Sequence, residues 1–83
     1  MAIGTVTHVN PRNGMFIIAI DSGDYVAFQN LSSTEVNVGD RIRGDLDALG
    51  GEDLTHVGER ETFSAFGETG PSSLQQCLRA AAG

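Results

Sequence analysis

Tryptophan and lysine are both absent from this 83-residue chain, and cysteine occurs once, at Cys77. A lone cysteine excludes an intramolecular disulfide, and the simplest setting it implies is a reducing cytoplasm. Without lysine, Arg12, Arg41, Arg43, Arg60 and Arg79 oppose 11 acidic residues, giving a formal charge of −6. That balance argues against a general phosphate-binding surface, because nucleic-acid affinity draws heavily on Lys and Arg neutralising phosphates. A local arginine patch could still override it. No long apolar run and no basic leader precede the first strand-like segment, so neither a signal peptide nor a transmembrane helix is expected, and no membrane partner. Asn30-Leu31-Ser32 matches the glycosylation sequon but lacks a secretory context.

Aromatics are few, limited to Phe16, Phe28, Phe63, Phe66 and Tyr25, so Val, Ile and Leu must do most of the packing. The length allows one small domain. Frequent glycines between short β-branched runs favour an all-β fold. Ile3 to Asn10 reads as a first strand, ended by the turn formers Asn10-Pro11-Arg12-Asn13-Gly14. A polar connection from Leu31 to Val38 leads to Gly39-Asp40. A fourth strand is expected from Arg41 to about Leu49, with Ile42 and Leu46 inward, and Gly50-Gly51 turns the chain into a fifth from Asp53 to about Phe63. The short echo between Thr7-His8-Val9-x-x-Arg12 and Thr55-His56-Val57-x-x-Arg60 fits shared strand composition better than an internal duplication.

The densest apolar segment, Gly14 to Asn30, is organised about Asp21-Ser22-Gly23-Asp24 and reads as a hairpin supplying strands two and three. A two-residue Ser-Gly loop would set Asp21 opposite Asp24 and pair Ile20 with Tyr25, Ile18 with Ala27 and Ile17 with Phe28. One face then carries Phe16, Ile18, Ile20, Tyr25 and Ala27, the other Met15, Ile17, Ala19, Val26 and Phe28. Both are apolar, so one lines the core and the other needs a cover. Beyond a barrel of residues 1–66, the segment 67–83 forms a linker and then a short helix or a flexible tail. Leu74, Cys77, Leu78 and Ala81 recur at helical spacing, and Ser73 with Gln76 forms a capping box. That helix or a second chain could cover the apolar hairpin face.

Candidate chemistry is sparse. His8 and His56 with Asp53 do not spell out metal-ligand geometry, so neither a metal nor a cofactor is expected. The acidic run Asp45 to Asp53 lacks the ligand spacing and glycine of an EF-hand loop. Cys77 sits in the apolar stripe of the helix, where a small buried cysteine is common. No nucleophile is accompanied by a positioned base, and no glycine-rich phosphate loop is present, so an enzyme is not expected. Arg41 and Arg43 share a strand face that Arg12 or Arg60 could join.

Over roughly residues 3 to 60 the order and spacing of several short motifs resemble those of cold-shock domains. Gly4-Thr5-Val6-Thr7-His8-Val9-Asn10 is similar to their opening Gly-x-Val-Lys-Trp-Phe-Asn, and Asn13-Gly14-Met15-Phe16-Ile17-Ile18 to Lys-Gly-Phe-Gly-Phe-Ile. Asp24-Tyr25-Val26-Ala27-Phe28 falls at Asp-Val-Phe-Val-His, and Val38-Gly39-Asp40-Arg41-Ile42 at Glu-Gly-Gln-x-Val. The resemblance implies an OB-type barrel, so the expected fold is a five-stranded OB-type barrel followed by the short C-terminal helix read from the spacing after Pro71. The resemblance also implies an outward, base-stacking face at Thr7, His8, Asn13, Met15, Ile17, Val26 and Phe28. Here only His8 and Phe28 retain a ring, and the flanking lysines are gone. Stacking is worth about 1–3 kcal/mol per base, so such a face suits protein contact better than nucleic acid. The expectation is therefore a non-enzymatic binding module for a protein partner or self-association, through Met15, Ile17, Val26 and Phe28. The alternative is single-stranded nucleic-acid binding through His8, Arg12, Phe28, Arg41 and Arg43.

Overall fold

The computed structural model describes residues 1–82; Gly83, the last residue of the predicted tail, lies outside them. Six strands precede one helix: β1 Ala2–Asn10, β2 Met15–Ile20, β3 Tyr25–Asn30, β4 Arg41–Gly44, β5 Gly50–His56, β6 Glu61–Gly67 and α1 Leu74–Ala81. They close into a barrel in the order β1-β2-β3-β6-β5-β4. Every neighbouring pair is antiparallel. The expected barrel and capped helix are both present, with six strands in place of five. Two meanders, β1-β2-β3 and β4-β5-β6, are joined by the connection from Leu31 to Asp40. The long β1 serves both, pairing Ala2 to Thr5 with β4 and Gly4 to Asn10 with β2.

The extra strand arises where one strand was expected from Asp53 to Phe63. Val57 to Arg60 instead form a turn, with Arg60 at φ 54°, a left-handed conformation uncommon for a residue with a side chain. His56 holds that turn, since its Nδ1 accepts from the Glu59 N–H at 3.1 Å. The fourth strand likewise stops at Gly44, and the chain turns through Asp45 to Ala48, closed by the Ala48 N–H on the Asp45 carbonyl at 3.2 Å. Gly50 and Gly51 open β5 rather than forming the turn.

The β2–β3 hairpin differs by one residue from the expected register. Its loop is Asp21-Ser22-Gly23, with the Ile20 N–H donating to the Asp24 carbonyl and the Gly23 N–H to the Ile20 carbonyl, each at 2.8 Å. Asp21 is drawn out of the hairpin ladder: its N–H bonds the Ile3 carbonyl at 3.0 Å and its carboxylate grips Arg41. Ile18 therefore pairs with Val26, Ile17 with Ala27 and Phe16 with Phe28. A slip of one exchanges the two faces of a strand. Val26 and Phe28, expected outside, lie in the barrel, whereas Ala27, expected inside, faces out with Tyr25.

The barrel core joins Val6, Phe16, Ile18, Ile20, Val26 and Phe28 to Ile42, Leu54, Phe63 and Ala65, with Val36 and Leu46 entering from loops. Phe16 centres its aromatic part, with ring centroids 6.2 Å from Phe28 and 6.1 Å from Phe63. A second cluster lies outside the barrel wall, where Met15, Ile17 and Ala27 meet Cys77 and Ala81 of α1. At Gly67 the chain passes so close to the Asp45–Leu49 turn that an added Cβ would collide with the Ala48 carbonyl oxygen.

Phe28→Ala should therefore cost about 3–5 kcal/mol, as for a core aromatic, and Gly67→Ala about 1–3 kcal/mol through overpacking. Urea unfolding followed by circular dichroism measures both. A near-neutral Phe28→Ala would contradict the observed register.

Candidate binding surface beside the C-terminal helix

The helix is placed by bonds at both ends. Ser73, in an extended conformation, accepts from the Gln76 N–H at 3.2 Å, and the Gln76 side chain accepts from the Ser73 N–H at 3.4 Å. Before it, Tyr25 and Ser72 exchange backbone bonds of 3.0 and 2.8 Å, and Ala27 N–H donates to Thr69 Oγ1 at 3.1 Å, carrying the chain back along β3. At the far end the Ala81 carbonyl accepts from Asn10 Nδ2 at 2.8 Å and Asn13 Nδ2 at 2.9 Å. Terminal carbonyls of a helix lack partners within it, and the β1–β2 turn supplies two donors. An isolated helix of this length is marginal in water. Burial of Met15, Ile17, Cys77 and Ala81 against one another, with Leu74 at the flank, stabilises it here.

All four residues expected to form an open interaction face are thus covered. Ile17, Val26 and Phe28 are 0% exposed and Met15 5%. Met15 and Ile17 lie under α1, while Val26 and Phe28 are core residues of the barrel. The helix does not seal the whole face. On its β1 side an apolar groove of about 230 Å³ remains, bordered by His8, Val9 and Asn10, floored by Met15 and Ile17, and walled by Leu78, Ala81 and Ala82. Its helix side stays accessible, with Leu78 41% exposed.

A bulge in β1 shapes this groove. Val6 pairs with Ile18 and His8 with Ile17, leaving Thr7 as the extra residue. Simple alternation from the buried Val6 would send His8 into the barrel; the inserted residue puts it on the outer side with Ile17. His8 is exposed, with Nδ1 2.9 Å from Thr7 Oγ1. Comparison of the chain with protein-family models, with curated proteins and with solved structures finds no match. The surface must therefore be read from its own chemistry.

Charge is unevenly distributed. Asp21 is the first carboxylate side chain in the sequence and Glu68 the last, so β1, β2 and α1 carry none. Arg12 and Arg79 belong to that carboxylate-free part, and both are exposed. Arg12 stands between Asn10 and Asn13, and Arg79 two residues before Ala81, so both are rooted beside the clamp that closes the groove.

The other candidate residues are spread around the barrel. Arg41 is engaged, donating to Asp21 Oδ1 and Oδ2 at 3.1 and 2.9 Å and to Thr5 Oγ1 at 2.7 Å. Hydrogen bonding by Arg41 holds the Asp21 carboxyl below its ordinary range, and the same bond raises Arg41. Arg43 is joined instead by Arg60, around a shallow surface site with Thr55 and Val57. His56 is buried, and both ring nitrogens are occupied: Nδ1 accepts from Glu59, which places the N–H on Nε2, 2.8 Å from Asp40 Oδ2. It has no free nitrogen for a metal or for base chemistry, and it pins the β5–β6 turn to the connection ending at Asp40. Among the described residues, no three His, Cys, Asp or Glu side chains converge as a metal-binding group. No helix among them is long and apolar enough to cross a membrane.

Asn10 and Leu78 line the groove, and neither belongs to the expected contact residues. The run without carboxylates at both ends of the sequence is the signal that could have drawn attention there. Desolvation raises the Cys77 thiol, opposed by a weaker interaction with Thr69. Between its ordinary value of 9.0 and the raised folded value, the folded chain keeps a proton that the unfolded chain releases. Stability should therefore fall as pH rises through that window. Reaction of Cys77 with a disulfide reagent at pH 8 should be much slower than in urea-unfolded protein, and faster in an Asn10→Ala/Asn13→Ala variant. Labelling of the native protein at the unfolded rate would show that α1 is not docked.

Proposed function

We propose that this protein is a non-enzymatic binding module whose contact surface is the groove between the end of β1 and α1, and that its partner is a protein. The observation carrying this reading is an accessible apolar groove, edged by Leu78, in the part of the fold that lacks carboxylates. An apolar groove that takes the apolar side chains of an amphipathic segment is a recurring mode of peptide recognition. The cold-shock-like pattern supports a binding role, but the interaction expected of the open hairpin face moves to the uncovered side of the helix.

Nucleic-acid binding is the second reading, favoured by one observation, the Arg43–Arg60 site. It lacks a base-stacking platform nearby, because Phe28 is enclosed in the barrel. Phe66, 40% exposed, stands on β6 opposite Gly51, which is followed by the carboxylates Glu52 and Asp53. Two arginines on a chain of charge −6 provide little counterion release.

Panning a random peptide library on the immobilised protein should yield ligands whose binding is lost in Leu78→Ser, while that variant keeps the wild-type circular dichroism spectrum. Recovery only of peptides indifferent to Leu78 would remove the groove as the contact surface. An oligothymidylate that binds at low salt and is released by Arg43→Ala/Arg60→Ala would favour the second reading.

A further inference from the structure

We infer that the occupant of the β1–α1 groove is a short acidic, amphipathic segment of a partner protein, with one or two apolar side chains in the groove and carboxylates directed toward Arg12 and Arg79. The inference rests on the protein-binding reading above and adds the chemistry of the partner.

Three features of the groove carry it. The first is scale: about 230 Å³ between strand and helix has room for a few side chains. The second is composition. Met15 and Ile17 below and Leu78, Ala81 and Ala82 at the side offer aliphatic contact, and no ring other than that of His8 is available to stack on a base. An apolar anchor flanked by charge fits this lining, whereas a nucleotide strand would need π surfaces and more cations.

The third is the sign of the field. Neither wall of the groove contains an acidic side chain, and the exposed Arg12 and Arg79 are rooted at the same end of α1. All carboxylate side chains lie from Asp21 to Glu68, with Glu35, Asp40, Glu59 and Glu61 gathered around His56 on another part of the surface. At physiological salt, exposed charges are screened within about 8 Å. No carboxylate lines the groove, and Arg12 and Arg79 are rooted at the end where Asn10 and Asn13 bond Ala81.

Peptides recovered by panning and dependent on Leu78 should combine Leu, Ile, Met or Phe anchors with Asp or Glu. For a synthetic peptide of that kind, fluorescence anisotropy should show roughly tenfold weaker binding to Arg12→Glu/Arg79→Glu, as expected when two exposed ion pairs are turned to repulsion. Binding should also weaken between 50 and about 300 mM salt. Leu78-dependent peptides that are neutral or basic, or indifferent to the arginine reversals, would overturn the acidic-partner inference while leaving the groove as a binding surface. Absence of any Leu78-dependent peptide would overturn both. Sedimentation showing self-association abolished by Leu78→Ser would identify a second copy as the occupant and overturn the inference. Arg12- and Arg79-dependent binding of oligothymidylate in place of peptide would overturn it as well.

Discussion

The pairing of β2 with β3 determines what every other part of this molecule can do. A three-residue loop sets Ile20 against Asp24, and from there alternation sends Phe16, Ile18, Val26 and Phe28 into the barrel and Met15, Ile17 and Ala27 outward. The loop is held from outside the hairpin. Asp21 bonds to Ile3 of β1 through its N–H and to Arg41 of β4 through its carboxylate, so both neighbouring strands hold it out of the hairpin ladder. Two phenylalanines and two β-branched residues can then meet Phe63 and Ile42 at the centre, while a smaller aliphatic surface is left for α1.

That division gives the protein two apolar clusters of different kinds. The barrel core is enclosed by strands on all sides and capped by Val36 and Leu46 from loops. The outer cluster depends on eight helical residues held by a capping box at one end and by Asn10 and Asn13 at the other. Because α1 lies over β2 and β3, the space between it and β1 stays partly open. The bulge at Thr7 turns His8 toward that space. The candidate surface is thus a product of the seam between strand and helix, and its carboxylate-free surroundings follow from the segments that build it.

Much of this was legible residue by residue. The β-branched run of β1, the turn formers after Asn10 and the inward Ile42 and Leu46 could all be read from local pattern, as could the capping box at Ser73. The helical spacing of Leu74, Cys77 and Ala81 identified the side of α1 that packs. The β5–β6 turn was hidden because Gly58 is its only strong turn former, and its remaining support is the long-range setting of His56 against Asp40. The side of β3 that carries Val26 and Phe28 is not legible locally for a similar reason: a Ser-Gly loop of two residues and an Asp-Ser-Gly loop of three are both compatible with that sequence, and they differ by one position.

By itself, the sequence determined the class of the fold, the existence and start of the helix, and the sign of the overall charge, because each depends on composition or on residues within a few positions of one another. Only the tertiary structure decided which side of β3 is core, how many strands close the barrel, and where apolar surface remains accessible. Those outcomes hang on contacts between distant residues: Asp21 with Ile3 and Arg41, His56 with Asp40, and Ala81 with Asn10 and Asn13. Local periodicity can offer two faces for a strand, but the partner that covers one of them is chosen by the closure of the whole barrel.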